Sequence, residues 1–237
     1  MNVWLYPTDL HRIDLIKQRA EQRAIKQQLD QSKAETAQAI QPNTKFLSTV
    51  AADFTGEGRL QFQNGDIYEG NFVMGKMEGE GILRTLGGDV YSGAFKNGFK
   101  HGKGKIVYGS GNNRGGSYEG DWAYNKKEGR GTCIDSNGDR YDGAFMGNSR
   151  HGDGTQIYAS NGARYVGMWQ HNLPLQGKLI LSDGTVYEGD WKDDMFSGVG
   201  RINYANGDTY QGEWKNYEPH RFGVRAYRNG RTYTGEW

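Results

Sequence analysis

Polar and apolar positions alternate in short runs from residue 54 onward, and the same run returns at a nearly constant interval. One such run reads, in order, Gly200, Arg201, Ile202, Asn203 and Tyr204. Successive side chains of a β-strand point to opposite faces of its sheet. The alternation therefore predicts strands with glycine and apolar residues on one face and polar residues on the other, which is typical of a sheet covered on one side only.

The runs surround a motif, Tyr-x-Gly-x-aromatic, that occurs eight times with its tyrosines 22 to 27 residues apart. The tyrosine and the aromatic residue of the first seven copies are Tyr68, Phe72, Tyr91, Phe95, Tyr118, Trp122, Tyr141, Phe145, Tyr165, Trp169, Tyr187, Trp191, Tyr210 and Trp214. A period this regular is typical of a stacked repeat array. We expect these rings, which we call the ring ladder, to share one face and to form the core.

Glycine pairs and turn dipeptides divide each repeat into a predicted strand, turn and strand. The pairs are Gly56 and Gly58, Gly79 and Gly81, Gly102 and Gly104, Gly129 and Gly131, Gly152 and Gly154, and Gly198 and Gly200. The dipeptides are Asn64-Gly65, Gly87-Gly88, Asn137-Gly138, Asn161-Gly162, Asp183-Gly184, Asn206-Gly207 and Asn229-Gly230. Such dipeptides accept positive φ and predict two-residue hairpin turns. The glycine pairs predict bare backbone on which large rings lie flat.

The repeat pattern is interrupted at three places. Leu175 and Arg221 replace the first glycine of their pairs, and Pro174 enters the same connection as Leu175. The third repeat also gains four residues, which we place within 109–117. We expect irregular geometry or a specific contact at each of these places.

The repeat resembles the MORN (membrane occupation and recognition nexus) repeat, whose pattern is Y-x-G-x-W followed by a glycine-rich H-G-x-G step. Two units match that second step, at residues 101–104 and 151–154. The resemblance covers residues 54–237 and implies an all-β fold, an elongated and twisted antiparallel sheet of consecutive β-hairpins. It also implies a location, because MORN proteins without an attached enzyme are common in cilia, flagella, radial spokes and the cortical cytoskeleton.

Residues 1–47 form a separate predicted segment with a long helix over about residues 9–40. This stretch lacks glycine and proline and is rich in Gln, Ala, Lys, Arg and Glu, a composition that favours helix. Its apolar stripe is narrow, so we expect the helix to need a surface to lie against. The candidate docking residues of this segment are Trp4, Leu5, Tyr6, Leu10, Ile13 and Ile16.

Three surfaces compete for that helix. It could pack along the first hairpins of its own chain and cover the exposed edge of the array. It could dock into a partner protein, with Trp4, Leu5 and Tyr6 as aromatic and apolar anchors. A basic helix on a membrane surface is the third alternative, and the acidic residues Asp14, Glu21, Asp30 and Glu35 argue against it.

Composition and charge limit the possible functions. The formal net charge of +1 gives no broad field that would attract nucleic acid. The single cysteine, Cys133, excludes an internal disulfide, and its inward position predicts a small buried apolar residue. No apolar run approaches the roughly 18 residues of a membrane span, and the N-terminus does not resemble a signal peptide.

Catalytic and metal-binding arrangements are also missing from the sequence pattern. The five histidines are scattered, and His101 and His151 lie two repeats apart, too far to converge on one ion. The acidic pair Asp193-Asp194 falls in a connection and is interpreted as a solvated turn. No Ser/His/Asp or Cys/His spacing supports nucleophilic catalysis. We therefore predict no enzymatic activity, no metal and no cofactor.

The sequence predicts a structural protein that bridges or positions partner proteins in a cytoskeletal assembly. The resemblance points to the cytoplasm and cytoskeleton, and most specifically to an axonemal complex of a cilium or flagellum such as a radial spoke. One alternative is a module for phosphoinositides or anionic membranes, using Lys96, Lys100, Lys103, Lys105, Lys126 and Lys127. A nearly equal number of acidic residues dilutes these cations. Another alternative is the targeting region of a larger enzyme, since the chain ends within a repeat.

The last predicted strand, residues 232–237, is expected to be an open edge of the sheet. Its aromatic residues are Tyr233 and Trp237. Open edges accept a further strand, so we predict that this end pairs with another chain, identical or different.

Overall fold

The computed structural model of the protein describes residues 46–47, 50–109, 111 and 114–237. The predicted helix over residues 9–40 lies outside them, as do the predicted docking residues Trp4, Leu5, Tyr6, Leu10, Ile13 and Ile16. In the described part, strands follow one another through turns. Every strand after the first, which comprises residues 46–47, pairs antiparallel with a sequence neighbour. The predicted all-β fold of consecutive antiparallel hairpins is confirmed. None of the described residues belongs to a helix with the length and apolar character of a membrane span.

The described chain divides into two compact units. The N-terminal unit comprises described residues up to 139 together with 146–148, and the C-terminal unit comprises 140–145 and 149–237. The N-terminal unit contains β1 (Phe46–Leu47), β2 (Gly56–Gln61), β3 (Ile67–Val73), β4 (Lys76–Arg84), β5 (Val90–Lys96), β6 (Phe99–Val107), β7 (Ser117–Ala123) and β8 (Lys126–Ile134). The short β1 pairs parallel with β2, in register Phe46 to Arg59.

The C-terminal unit begins with most of β9 and continues to the end of the chain. Its strands are β9 (Arg140–Met146), β10 (Ser149–Ile157), β11 (Arg164–Gln170), β12 (Leu173–Ile180), β13 (Val186–Lys192), β14 (Met195–Asn203), β15 (Thr209–Lys215), β16 (Glu218–Ala226) and β17 (Thr232–Glu236). From β10 onward, each strand pairs antiparallel with the next.

The glycine of each Tyr-x-Gly motif lies opposite the second glycine of the following pair. Gly70 faces Gly81 in the N-terminal unit, and Gly189 faces Gly200 in the C-terminal unit. A Cβ atom added at Gly81 would lie 2.4 Å from the Oη atom of Tyr68 and 2.5 Å from its Cε2 atom. Glycine is therefore required at this position because the tyrosine ring occupies the space where a side chain would begin.

In every pair from Gly79 onward, the first glycine forms a β-bulge. At Gly79, Gly102, Gly129, Gly152 and Gly198 the φ angle lies between 63° and 76°, in the left-handed region. The pairing register shifts beside these glycines, for example between Gly189 and Asp190 of the facing strand. Extra residues in one strand of an antiparallel pair require such a conformation, and glycine adopts it without steric cost.

Two of the predicted irregularities arise from this bulge. Arg221 keeps the left-handed conformation, with a φ of 52°, although it has replaced the glycine. At β12 the bulge is instead shortened, because this strand has eight residues where β10, β14 and β16 have nine. Pro174 there pairs directly with Trp169. The loss of the glycine is thus accommodated by backbone strain in one repeat and by a deletion in the other.

The prediction of two-residue turns at the Asn-Gly dipeptides is wrong, because these loops have a different length and turn type. At Asn64-Gly65, the Gly65 N–H donates to the Phe62 carbonyl at 2.9 Å and the Phe62 N–H donates to the Asp66 carbonyl at 2.8 Å. Three residues thus form this loop, and Gly65 alone takes positive φ, 87°. This is the arrangement of a type I turn followed by a left-handed residue. Gly88, Gly138, Gly184, Gly207 and Gly230 repeat it, with φ between 84° and 90°.

Two-residue turns with positive φ at both positions lie at the opposite end of the strands. Tyr124 and Asn125 have φ angles of 48° and 67°, as a type I′ turn requires. The same turn occurs at Met74-Gly75, Asn97-Gly98, Gly147-Asn148, His171-Asn172, Asp193-Asp194 and Asn216-Tyr217. Most of these dipeptides lack the usual Asn-Gly signal of such a turn, and Asn97-Gly98 is the exception. The acidic pair Asp193-Asp194, which was predicted to lie in a connection, forms one of these turns.

Candidate interaction surface

The fourteen residues of the ring ladder all lie buried, each with at most 8% of its surface exposed. Each ladder tyrosine donates its hydroxyl to the carbonyl of the residue three positions later. The distances are 3.0 Å from Tyr68 to Asn71 and 2.9 Å from Tyr187 to Asp190. This bond satisfies the one polar atom of a ring that has been removed from water. Burial raises the pKa of Tyr68 and of Tyr187 well above the ordinary phenol value, because the charged form is disfavoured there.

Rings of consecutive repeats meet edge to face within each unit. The ring centroids of Tyr68 and Phe95 are 4.9 Å apart, and those of Tyr187 and Trp214 are 5.3 Å apart. The Trp214 Nε1 also donates to the Gly200 carbonyl at 3.0 Å. Edge-to-face pairs contribute beyond the burial of area. Each repeat is therefore joined to the next through the middle of the sheet.

A second layer of side chains covers these rings, and its members lie nine residues after the motif tyrosines. The Lys100 Nζ lies 5.1 Å from the Tyr91 ring centroid and 5.3 Å from that of Trp122. The Lys127 Nζ lies 4.9 Å from the Tyr118 ring centroid. These are cation–π distances. Burial lowers the pKa of Lys100, while the carboxylates of Asp89 and Asp66 act in the opposite direction.

In the C-terminal unit, the position nine residues after the motif tyrosine is occupied by two different kinds of side chain. The Arg150 guanidinium lies 5.2 Å from the Trp169 ring centroid, and its Nη1 donates to Gln156 Oε1 at 2.6 Å. Phe196 instead stacks on Tyr187, with centroids 3.7 Å apart and ring planes 2° from parallel. The position therefore accepts either a cation or a flat ring, because both can lie against the face of an aromatic side chain.

The type I′ turns of consecutive repeats are joined by a two-bond clamp. The Asn125 N–H donates to the Lys100 carbonyl at 3.0 Å, and its Oδ1 accepts the Lys100 N–H at 2.8 Å. Asn148 makes the same pair of bonds with Lys127. In the C-terminal unit, Asn172 makes it with Arg150. This clamp fixes one end of each hairpin against the next.

The opposite ends of the hairpins are joined by acidic or hydroxyl side chains. Asp66 Oδ1 accepts the N–H of Leu86 at 2.9 Å, and Asp89 Oδ1 accepts the N–H of Gly109 at 2.9 Å. In the C-terminal unit, Thr185 Oγ1 accepts the N–H of Ala205 at 3.2 Å. Hairpins within a unit are thus bonded to their neighbours in the middle and at both ends.

A cleft of about 560 Å³ opens on the N-terminal unit. Phe62, Met77, Leu83 and Phe95 give it an apolar lining, and Asn64, Asp66, Gly98 and Asn125 contribute polar groups and backbone. An apolar lining with a few polar groups suits the side chains of a bound segment. Among the described residues, no group of three or more His, Cys, Asp or Glu side chains could hold a metal ion.

The MORN repeat family model matches residues 68–89, 91–113, 118–140, 141–163, 187–209 and 210–230. The chain belongs to the MORN repeat family. MORN repeats are known as a protein-interaction or membrane-binding module and not as an enzyme. No curated protein sequence matches the chain.

Several solved structures are similar to this MORN chain. The TCP10 domain of Danio rerio CPAP has a TM-score of 0.45 and 13% identity, over 75% of this chain and 82% of that one. The CPAP G-box domain has a TM-score of 0.44 and 14% identity, over 77% and 99%. The SAS-4 (dCPAP) TCP domain of Drosophila melanogaster, in complex with a proline-rich motif of Ana2, has a TM-score of 0.32 and 10% identity, over 79% and 85%.

The MORN model leaves one internal repeat unmatched, at residues 165–186. That repeat contains the shortened bulge of β12, in which Leu175 stands where the first glycine is expected. Its tyrosine nevertheless keeps the MORN geometry. The Tyr165 hydroxyl lies 3.0 Å from the Met168 carbonyl and 2.9 Å from the Gln176 carbonyl, and the ring is 1% exposed. The buried tyrosine ring and the glycines that it packs against, Gly167 and Gly177, are therefore retained although the sequence pattern has weakened.

The last MORN motif differs from the others in its exposure. Tyr233 is 45% exposed and Trp237 is 38% exposed, whereas every earlier motif tyrosine is at most 1% exposed. Strand β17 pairs with β16, and the Trp237 ring contacts Tyr210 at 5.2 Å. This is where the structure places the two residues predicted to form the array-end edge.

Cys133 departs from its expected environment. It is half-buried, and its Sγ lies 3.5 Å from Asp135 Oδ1 and 3.9 Å from Lys127 Nζ. The expectation of a small buried apolar residue is thus wrong, because the polar side chains of Lys127 and Asp135 lie against the thiol.

Proposed function

We propose that this MORN chain is a non-enzymatic scaffold that positions partner proteins in a cytoskeletal assembly, most specifically in an axonemal complex such as a radial spoke. The observation that carries the proposal is the locking of consecutive repeats. Within each unit, ring contacts join them in the middle, asparagine clamps join them at one end, and Asp or Thr side chains join them at the other.

Such locking supports a scaffold because it resists changes of distance between sites on the same unit. In a repeat array, stability comes from each repeat and from its interfaces with its neighbours. The Asn125 clamp and the Tyr91–Trp122 ring contact would both have to break before the second and third repeats could separate. The cleft beside Phe95 offers partners an apolar recess on this stiff support.

Four of the six lysines considered for membrane binding contact another side chain of the chain. Lys103 pairs with Asp121 at 2.6 Å, and Lys105 pairs with Glu119 at 3.4 Å. Lys100 and Lys127 lie over ladder rings. Recognition of anionic lipid requires clusters of about four to eight exposed cations. The charge distribution therefore supports a protein partner over a membrane.

The test is retention of the full-length chain on axonemes. A tagged chain is expressed in ciliated cells, membranes are removed from isolated cilia with detergent, and the axonemal pellet is assayed. We expect the chain to remain in the pellet, and crosslinking to connect it to axonemal proteins. Exclusion from cilia, or release with the detergent-soluble membrane fraction, would contradict the proposal. A double variant, Asn125→Gly with Asn148→Gly, tests whether the asparagine clamps are required for retention in the axonemal pellet.

The edge strand β17 is a separate element of the proposal. We propose that it pairs with another chain through its exposed end, which carries Tyr233 and Trp237. Thr234 lies in the middle of this strand, opposite Val224. Mass measurement in solution is expected to show association that rises with concentration and falls in Thr234→Pro, because proline removes a ladder donor. A monomer at all concentrations, with no heterologous strand partner found by crosslinking, would contradict this element.

A further inference from the structure

The type I′ turns of the N-terminal unit form a row with an unusual side-chain composition. The turns and their flanking residues occupy 73–76, 96–99, 123–126 and 146–148, and none of these positions is acidic. We call this row the turn stripe. The turns at the other end of the same strands carry Asp66, Asp89, Asp135 and Asp139. The two ends of the N-terminal unit therefore differ in charge.

The turn stripe combines exposed apolar side chains with lysines. Val73, Met74, Phe99, Tyr124 and Met146 are 46%, 62%, 44%, 63% and 45% exposed. Lys76, Lys96 and Lys126 are also exposed and alternate with them along the stripe. Large apolar side chains that stay in water over a contiguous row mark a site of interaction. Phe and Tyr are favoured anchors of such sites, and Met adapts its shape to a partner.

The positions of the stripe are fixed by bonds to the preceding hairpins. Asn125 and Asn148 clamp the backbone of Lys100 and Lys127. The Glu78 and Glu128 carboxylates accept the backbone N–H groups of Asn97 and Gly147 at 2.8 and 2.9 Å. These two acids are half-buried and turned to the turn backbone, which leaves the lysines as the exposed charges of the stripe.

We infer that the turn stripe docks an acidic amphipathic helix of a partner protein. Strands lie about 4.8 Å apart, so successive turns recur about every 9.6 Å. Seven residues of an α-helix rise about 10.5 Å. A helix lying along the stripe thus meets one turn every seven residues, with apolar residues facing the Met, Phe and Tyr side chains and acidic residues facing the lysines.

Two other occupants fit the stripe less well. Residues 1–47 of this chain contain seven Lys or Arg and five Asp or Glu, so they lack the negative charge that would complement it. An anionic membrane is recognised by about four to eight clustered cations, whereas the stripe presents Lys76, Lys96 and Lys126 one to a turn. A helix with matched spacing uses these separated charges individually.

The probe is a synthetic peptide of about 28 residues, long enough to pass four turns, with leucine at every seventh position and glutamate on the flanking positions. A scrambled peptide of the same composition is its control. Binding of each to the full chain is measured by fluorescence anisotropy, and vesicles rich in phosphatidylserine form a second arm. Two double variants are compared, Lys96→Glu with Lys126→Glu on the stripe, and Lys192→Glu with Lys215→Glu on type I′ turns of the C-terminal unit.

The ordered peptide is expected to bind about tenfold more tightly than the scrambled one, and the stripe variant to lose about tenfold in affinity. The matched C-terminal variant is expected to bind as the unaltered chain does. Equal binding of both peptides, equal loss in both variants, or no binding of the ordered peptide would overturn the inference. Vesicle binding that depends on the stripe lysines, without peptide binding, would assign the stripe to membranes instead. The inference rests on the scaffold role, but axonemal retention is measured separately, so the two can fail independently.

Discussion

Asn125 exchanges two hydrogen bonds with the backbone of Lys100, which lies 25 residues earlier in the chain and one hairpin away. The asparagine also occupies the second position of a type I′ turn, with a φ of 67°. Asparagine adopts this left-handed conformation more readily than most residues. One residue type thus satisfies the backbone of its own turn and the backbone of the neighbouring hairpin.

Removal of this clamp should destabilise the N-terminal unit. Asn125→Gly keeps a residue that tolerates positive φ but leaves the Lys100 N–H without its acceptor. We expect a loss of about 1–2 kcal/mol in the free energy of unfolding, measured by urea denaturation. Asn125→Asp retains a side-chain oxygen and should lose much less. Equal losses in the two variants would show that the Oδ1 bond contributes nothing.

Arg221 should be a source of strain that glycine relieves. It holds a φ of 52° at the bulge position where Gly198 has 63°. A residue with a Cβ atom in this region costs about 1–2 kcal/mol, so Arg221→Gly is expected to raise the free energy of unfolding by about 1 kcal/mol. The substitution also removes the ion pair between Arg221 and Glu213, but this pair is long, at 3.8 Å, and solvent-exposed, so its loss offsets little of the gain in stability.

Arg201→Gly is the matched control for that variant, because Arg201 lies in the paired part of β14, opposite Gln211. Glycine within a strand lowers stability by about 0.5–1 kcal/mol. The two arginine-to-glycine changes should therefore have opposite signs. A destabilised Arg221→Gly chain would mean that the side chain contributes more than its backbone conformation costs.

The glycines that pack against the buried tyrosine rings should tolerate no side chain. At Gly200, an added Cβ would lie 2.5 Å from the Tyr187 Oη and 2.7 Å from its Cε2. We expect Gly200→Ala to destabilise the C-terminal unit by about 3 kcal/mol, while the neighbouring Val199→Ala, at a position 61% exposed, changes stability by about 0.5 kcal/mol or less.

A double-mutant cycle identifies the cause of that loss. Tyr187→Ala removes the ring that Gly200→Ala would strike, so the two substitutions together should cost clearly less than the sum of the single changes. Additive losses would place the cost of Gly200→Ala in the backbone, not in the contact with Tyr187.

Alkaline pH should unfold the protein through its buried tyrosines. Burial raises the pKa of Tyr68, Tyr91 and Tyr118 above 10.0, the ordinary value. The unfolded chain therefore loses these protons first, and stability that is complete below pH 10.0 falls as pH rises beyond it. Tyrosinate absorbance and circular dichroism should change together in one cooperative transition. Ionisation of all tyrosines near pH 10.0, with the sheet intact, would contradict this expectation.

The repeat register and the ring-bearing face could be predicted because they depend on local alternation and on glycine. A tyrosine and a second aromatic residue, as in Tyr187 and Trp191, recur with the same spacing in every repeat, and a strand places both on one face. The turn geometry was predicted incorrectly, because Asn-Gly suits both a two-residue turn and the end of a three-residue loop. Only the hydrogen bonds around Gly65 distinguish the two.

The second layer over the rings was missed because its residue types vary. Lys100, Arg150 and Phe196 occupy equivalent positions, and no single chemical class links them in the sequence. The asparagine clamp did leave a signal that could have been used. Asn125, Asn148 and Asn172 each follow a motif tyrosine by seven residues. Whether the predicted helix before residue 47 packs on its own chain or on a partner stays a prediction.

The asparagine clamps have a consequence for how such a protein evolves. Each one reaches only to the adjacent hairpin, as Asn148 does to Lys127. Duplicating or deleting a whole hairpin therefore recreates the same junction at the new boundary and leaves distant residues undisturbed. Natural selection can lengthen or shorten a protein of this kind in fixed increments, and so alter the spacing of whatever it holds without inventing a new fold.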